Sequence, residues 1–192
     1  MTYRITVQPL FAGVIRFFKD PEILGYQYIG NLSDYQNKNI KEDRLRQYLR
    51  LKGYADKLID AAVMQLQQEA GNLSRGVYDA NKTVYSRLKY GIPVSESPEK
   101  PPVTVELIDE ANPLSNDFAI AEEVTVVEQQ EKRPDLVIYL NGIAVAVIEL
   151  KRSSISVSEG IRQNLTNQKD SFIRGFFTTM QFCMAGNESE GL

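Results

Sequence analysis

The chain has 192 residues, 43% of them hydrophobic and 24% charged, enough to bury a core as one domain or as one domain with a helical subdomain. It has no histidine and one cysteine, which excludes imidazole-built zinc sites, Ser-His-Asp triads, histidine general bases and an intrachain disulfide framework. What remains is carboxylate, lysine and oxygen chemistry, on a chain whose net charge of -3 is unusual for a protein that holds nucleic acid by itself.

No apolar run reaches the roughly 18 residues of a membrane span, and the N-terminus lacks a basic segment followed by a hydrophobic core. A soluble, cytoplasmic chain is therefore expected. Cys183, between Phe182 and Met184, reads as a buried structural thiol in a reducing compartment.

In chain order, Phe11, Val14, Ile15 and Phe18 keep helical spacing and predict a helix that ends before Asp20-Pro21. Gly25 to Ser33 predicts a short strand and turn, with Tyr26 and Tyr28 as half-buried packing or as base-stacking groups. Leu45, Tyr48 and Leu49 predict a helix over 42–51, closed by Lys52-Gly53. A second helix is expected from Asp56 to about Glu69, so the N-terminal half carries a helical hairpin. Its Arg44, Arg46, Arg50 and Lys52 form either a docking face or a solvated one. Asn81 to Lys89 is a third helix, ended by Gly91 and Pro93.

Residues 95–102, rich in proline, serine and glutamate, are the one linker-like stretch. They divide a mostly helical front, 1–94, from a β-rich back, 103–192, within one expected domain. Val103 to Ile108 and Phe118 to Val127 read as strands, and Glu128 to Arg133 as a charged bend. Ser156 to Glu159 fits a capping box, opening a helix to about Asp170 that buries Ile161 and Leu165. Phe176 to Met184 is a last strand, stopped by Ala185-Gly186-Asn187, and no Walker loop occurs.

The segment that predicts both structure and chemistry is Arg133 to Arg152. Two apolar, β-branched runs, Leu136 to Leu140 and Ile143 to Leu150, flank Asn141-Gly142, the strongest short-range signal for a hairpin. Both runs are apolar on both alternating faces, as in central strands covered by layers on each side. Charge appears only at the outer ends, as Asp135, Glu149 and Lys151. Two carboxylates and an ammonium at one end of a buried sheet suit metal-assisted hydrolysis of a phosphodiester, with Mg²⁺ on the carboxylates and the lysine beside the attacking water. Equally, by spacing alone, they mark a strand emerging into solvent.

The full string, Arg133-Pro134-Asp135, a strand, Asn141-Gly142, a strand, then Glu149-Leu150-Lys151, resembles the PD-(D/E)xK nuclease motif. More narrowly it resembles the N-terminal domain of the R subunit of type I restriction enzymes. The likeness extends to Leu107-Ile108-Asp109 and Asn116-Asp117-Phe118 upstream, and to the glutamine-rich helix and Ala185-Gly186-Asn187 downstream. It implies a restriction-endonuclease-like α/β core of α+β type, a mixed central sheet flanked by helices. It implies Mg²⁺-dependent endonucleolytic cleavage of double-stranded DNA, with Asp135 and Glu149 on the metal, Lys151 positioning water and Gln163 steadying the site. Asn167 stands where related chains have a tyrosine.

Such nucleases also place an acidic residue on the first helix, where this chain has Gln8, with Glu22 beyond the helix end. Arg152, Arg162, Lys169 and Arg174 are the expected DNA-contacting cations. The resemblance implies methyltransferase and specificity subunits as partners, and an ATP-driven translocase that uses ATP outside this stretch. The alternative is a catalytically silent docking module built on the helical hairpin.

The chemistry constrains the register of the β-hairpin. With a plain two-residue turn and unbroken pairing, Asp135 opposes Ile148, and Glu149 and Lys151 lie on the other face. A shared site therefore predicts either a three-residue loop, Leu140 to Gly142, that pairs Asp135 with Val147 and puts Ala144 and Ala146 on one face, or a bulge elsewhere with the same one-residue effect.

Overall fold

The computed structural model describes residues 8–189. Helix α1, Gln8–Lys19, lays Phe11, Val14, Ile15 and Phe18 against the sheet and stops ahead of Pro21. Strand β1, Gln27–Asn31, follows. Helices α2, Glu42–Leu51, α3, Asp56–Gly71, and α4, Val77–Tyr90, form a helical layer whose inward residues include Leu45, Leu49, Ile59, Val63, Leu66 and Val84. The α2 ends fall where the sequence puts them, with Gly53 at φ 86° as the left-handed stop. Helix α4 starts four residues ahead of the expected Asn81, whose side-chain amide donates to the carbonyls of Thr178 and Met180.

Strands β2, Ile92–Val94, and β3, Val103–Val105, pair antiparallel. Residues 95–102 are thus the loop of a small hairpin packed on the helical layer, and the β3 strand ends short of Ile108. The expected strand over 118–127 is broken into β4, Phe118–Glu122, and β5, Val126–Val127, by Glu123 at φ 51°. Backbone at that angle cannot continue a strand. Within the charged bend, β6, Glu131–Lys132, pairs back on β5.

Strands β7, Leu136–Leu140, and β8, Ile143–Leu150, follow. Helix α5, Val157–Asn167, and strand β9, Phe182–Gly186, complete the core. Residues 174–179 are 3₁₀ turns, so the last strand begins six residues later than expected. The central sheet runs β1-β4-β7-β8-β9, with β1 parallel to β4, β8 parallel to β9 and the two inner pairings antiparallel. This is a mixed sheet flanked by helices, restriction-endonuclease-like in class. One face carries α1 and the other carries α5 with the 174–179 turns.

The register is set by a bulge. Leu140 opposes Ile143 and Tyr139 opposes Ala144, but Ile138 opposes Ala146, leaving Val145 as the extra residue. The loop is the two-residue Asn141-Gly142, at φ 52° and 82°, and the three-residue loop does not form. Pairing ends at Leu136 opposite Ile148, so the register carried one residue outward aligns Asp135, just before β7, with Glu149 rather than Val147. The bulge also separates the alanines, because Ala144 packs with Tyr139 and Val147 whereas Ala146 packs with Ile138 and Ile148.

A two-residue turn is imposed by what surrounds it. The Asn141 side chain is fully buried, donates to the Leu107 carbonyl and Asn116 Oδ1 at 2.8 Å each, and accepts from the Asp117 amide at 2.7 Å. Gly142 lies so close to α2 that a Cβ there would sit 2.6 Å from the Lys41 carbonyl. The turn is a plug between the sheet and the helical layer.

The cations of the helical hairpin are already paired within the fold. Arg44 binds Asp117 in a fork, Arg46 bridges Glu42 and Asp60, Arg50 meets Asp56, and Lys52 meets Asp109. These four cations serve the fold's own carboxylates.

Candidate active site

The bulge puts Asp135, Glu149 and Lys151 on one face, at the end of β7 and β8 remote from the plug. Asp135 Oδ2 accepts the Leu150 amide at 2.7 Å, which pins the carboxylate to the neighbouring strand. Glu149 has no solvent exposure. Its Oε2 accepts from Gln163 Nε2 at 2.7 Å and lies 3.7 Å from Lys151 Nζ. Lys151 Nζ donates to Gln163 Oε1 at 2.6 Å, so one amide of α5 ties ammonium to carboxylate.

Helix α5 reaches the sheet because residue 160 is glycine. A Cβ there would lie 2.8 Å from Ala185 Cβ and 3.5 Å from the side chains of Glu149 and Lys151. Ser156 caps the helix by accepting from the Ser158 amide, while Glu159 pairs with Arg162 in place of closing a capping box. The buried residues of α5 are Gly160, Asn164 and Asn167, and Ile161 and Leu165 point outward, the reverse of the expected orientation. Polar partners decide this. Gln163 is held by the site, and Asn164 donates to the Met184 carbonyl of β9 at 3.1 Å. Cys183, expected to be buried, is exposed on the edge strand β9.

Two carboxyls opposed by one ammonium in a dry place are poorly stabilised as anions. Burial pushes Asp135 up from 3.8 to about 6, against the pull of the Leu150 amide and Lys151, with Glu123 adding to the rise. Burial, then the charge of Asp135, holds Glu149 well above the carboxylate range, with Lys151 acting against both. With both ionised, Glu149 Oε1 is buried and finds no hydrogen-bond donor among the described residues.

Leu150 lies between two clefts. One, of about 880 Å³, has Asp135 on its wall with Glu122, Glu123 and, from α1, Arg16 and Lys19. Tyr28 also lines it. Its hydroxyl donates to Glu122 at 2.9 Å, and burial with that carboxylate pushes it up to about 12. Tyr28 is thus a carboxylate partner, and Tyr26 stacks on Phe118. The α1 residues lining this cleft include no carboxylate before Asp20. The Gln8 side chain lies outside the described residues, and Glu22 is not among the lining residues. Glu123, which the sequence places inside an expected strand, is an acidic neighbour that the fold supplies.

The second cleft, of about 620 Å³, is lined by Lys151, Gln163, Arg152 and Arg162, and by Lys132. Asn167 lines it too, in the place where a tyrosine was expected. Lys169 is exposed beyond the end of α5, and Arg174 pairs with Asp170, so neither lines the cleft. Lys132 carries no site signal in the sequence, because it lies in a stretch that reads as a charged bend.

A restriction-endonuclease-like sheet with two carboxylates, a lysine and a glutamine converging at one end defines the class of this chain. Its residues 16–192 match the family model of the type I restriction enzyme R protein N terminus, and the chain belongs to that family. It is 33% identical over 97 residues to a protein of Methanocaldococcus jannaschii named as the type I restriction enzyme MjaIXP endonuclease subunit. That match spans 46% of this chain and 9% of the relative. It is 29% identical over 85 residues, 44% of the chain and 9% of the relative, to the type I restriction enzyme SsaAORF53P endonuclease subunit of Staphylococcus saprophyticus subsp. saprophyticus. The matches therefore span about a tenth of these relatives' length.

Proposed function

We propose that this chain is a single nuclease domain of a type I restriction enzyme and cleaves phosphodiester bonds in double-stranded DNA with the help of Mg²⁺. The observation that carries the reading is Glu149, a buried carboxylate with one oxygen bare, directly across the hairpin from Asp135. Hard divalent cations are held by one or two carboxylates, phosphate oxygens and water, and the residues present fit that donor set. Among the described residues, no three acidic or sulfur ligands gather at one point. Bound there, Mg²⁺ would neutralise charge on the phosphate and lower the pKa of a water.

The chain's own side chains do the remainder. Asp135 is oriented by the Leu150 amide and Glu149 by Gln163. Lys151, tethered to Gln163, places a positive charge where negative charge develops on the phosphate. The surrounding apolar strands exclude bulk water, which strengthens each of these interactions. Target choice, methylation and ATP-driven translocation belong to specificity, methyltransferase and motor parts beyond these 192 residues, in a cytoplasmic assembly. No helix among the described residues is long and apolar enough to cross a membrane.

Isothermal titration of the chain with Mg²⁺ or Mn²⁺, alongside Asp135→Ala, tests this reading. Binding by the wild type and none by the variant is expected. Equal heats from both proteins would overturn it.

A further inference from the structure

The small antiparallel sheet of β5 and β6 makes an arm, 126–132, that the nuclease core does not need for its own pairing. It is nonetheless firmly braced. The Glu128 carboxylate accepts the Gly175 amide at 2.9 Å and the Phe176 amide at 2.7 Å, and a Cβ on Gly175 would collide with it at 2.9 Å. The Gln129 amide donates to the Phe172 carbonyl at 3.2 Å, and Val126 is buried in the core beneath. The arm carries Lys132, whose ammonium lies 4.8 Å from the centre of the Phe172 ring. Both residues line the cleft that ends at Lys151.

That cleft is lined by four cations, Lys132, Lys151, Arg152 and Arg162, and one carboxylate, Glu159; Arg162 pairs with Glu159, and Lys151 lies 3.7 Å from Glu149. In a molecule of net charge -3 this is a concentrated exception. A lysine fixed over an aromatic ring loses much of its rotational freedom before any ligand arrives. We propose that the cleft is a phosphate track for one DNA strand leading to Lys151, and that Lys132 anchors a phosphate on the wall facing α5. The choice of DNA as ligand rests on the nuclease reading.

The test is fluorescence anisotropy of the 192-residue chain with labelled duplexes, in EDTA, over a range of salt. Lys132→Ala should weaken binding to every duplex alike and make the slope of log K against log salt shallower by about 0.9, the loss of one phosphate contact. Lys132→Arg should restore both, and Lys82→Ala, on the exposed surface of α4, should change neither. Wild-type affinity and slope in Lys132→Ala would overturn the proposal, as would a wild type that binds no duplex at low salt. EDTA removes the metal, so these outcomes are independent of the titration that tests Asp135.

Discussion

At the scale of single residues, the site is a charge imbalance held in place by one amide. Lys151→Ala removes a group that acts on the transition state and touches little of the core, so cleavage by the assembled enzyme should fall by 10²-fold or more, on the order expected for a lost electrostatic donor. The domain should stay folded, and ATP hydrolysis should not move. Near-normal cleavage by a preparation free of wild type would sink its role. The carboxyl pair also sets a pH dependence. Asp135 and Glu149 keep their protons in the fold above the pH at which the unfolded chain releases them. Between about pH 4 and pH 6, and further up for Glu149, the folded state binds more protons, so stability falls as pH rises. Glu149→Gln cannot lose that proton, and its urea midpoint should decline less from pH 5 to pH 8 than that of the wild type. Parallel declines would contradict the assigned shifts.

At the scale of elements, two glycines fix how the layers meet. Gly160 lets α5 lie on β8 and β9 at the height of Glu149. Gly160→Val should push the helix away and carry Gln163 with it, costing roughly 1–3 kcal/mol as an overpacked contact and lowering Mn²⁺ affinity together with cleavage. A variant with native metal affinity would show that α5 does not position the site. Gly142 combines φ 82° with backbone atoms under 3 Å from a prospective Cβ. Gly142→Ala should cost at least about 1–3 kcal/mol from backbone strain, visible as a drop in urea midpoint. A value within error of the wild type would refute the plug.

For the whole molecule, the relevant quantity is negative charge buried in one place and positive charge gathered in another. A divalent cation that binds only the folded state raises the melting temperature by mass action, and here it also relieves the repulsion of Asp135 and Glu149. The Mg²⁺-induced rise should therefore be larger at pH 8 than at pH 5, because protons compete for the same oxygens. A rise independent of pH, or one unchanged by Asp135→Ala, would place the ion elsewhere. With a basic cleft set on a chain of net charge -3, DNA binding should be weak and without sequence preference, and tight sequence-specific binding by these residues would contradict the assignment.

The sequence by itself determined the strands 136–140 and 143–150, the bounds of α2, and the grouping of Asp135, Glu149 and Lys151. Each rests on local signals: β-branched runs around Asn-Gly, a glycine stop, and charge confined to the ends of apolar strands. The constraint of a shared site further required a one-residue offset between Asp135 and Glu149. Where to put that offset was decided by the tertiary structure, because Asn141 and Gly142 are held by Leu107, Asn116, Asp117 and α2, which leaves the extra residue to Val145. The orientation of α5 was likewise beyond reach of periodicity. Its apolar residues point outward because partners distant in sequence, Glu149, Lys151 and Met184, bind Gln163 and the Asn164 Nδ2 group, and no local pattern records what a side chain will meet across the fold.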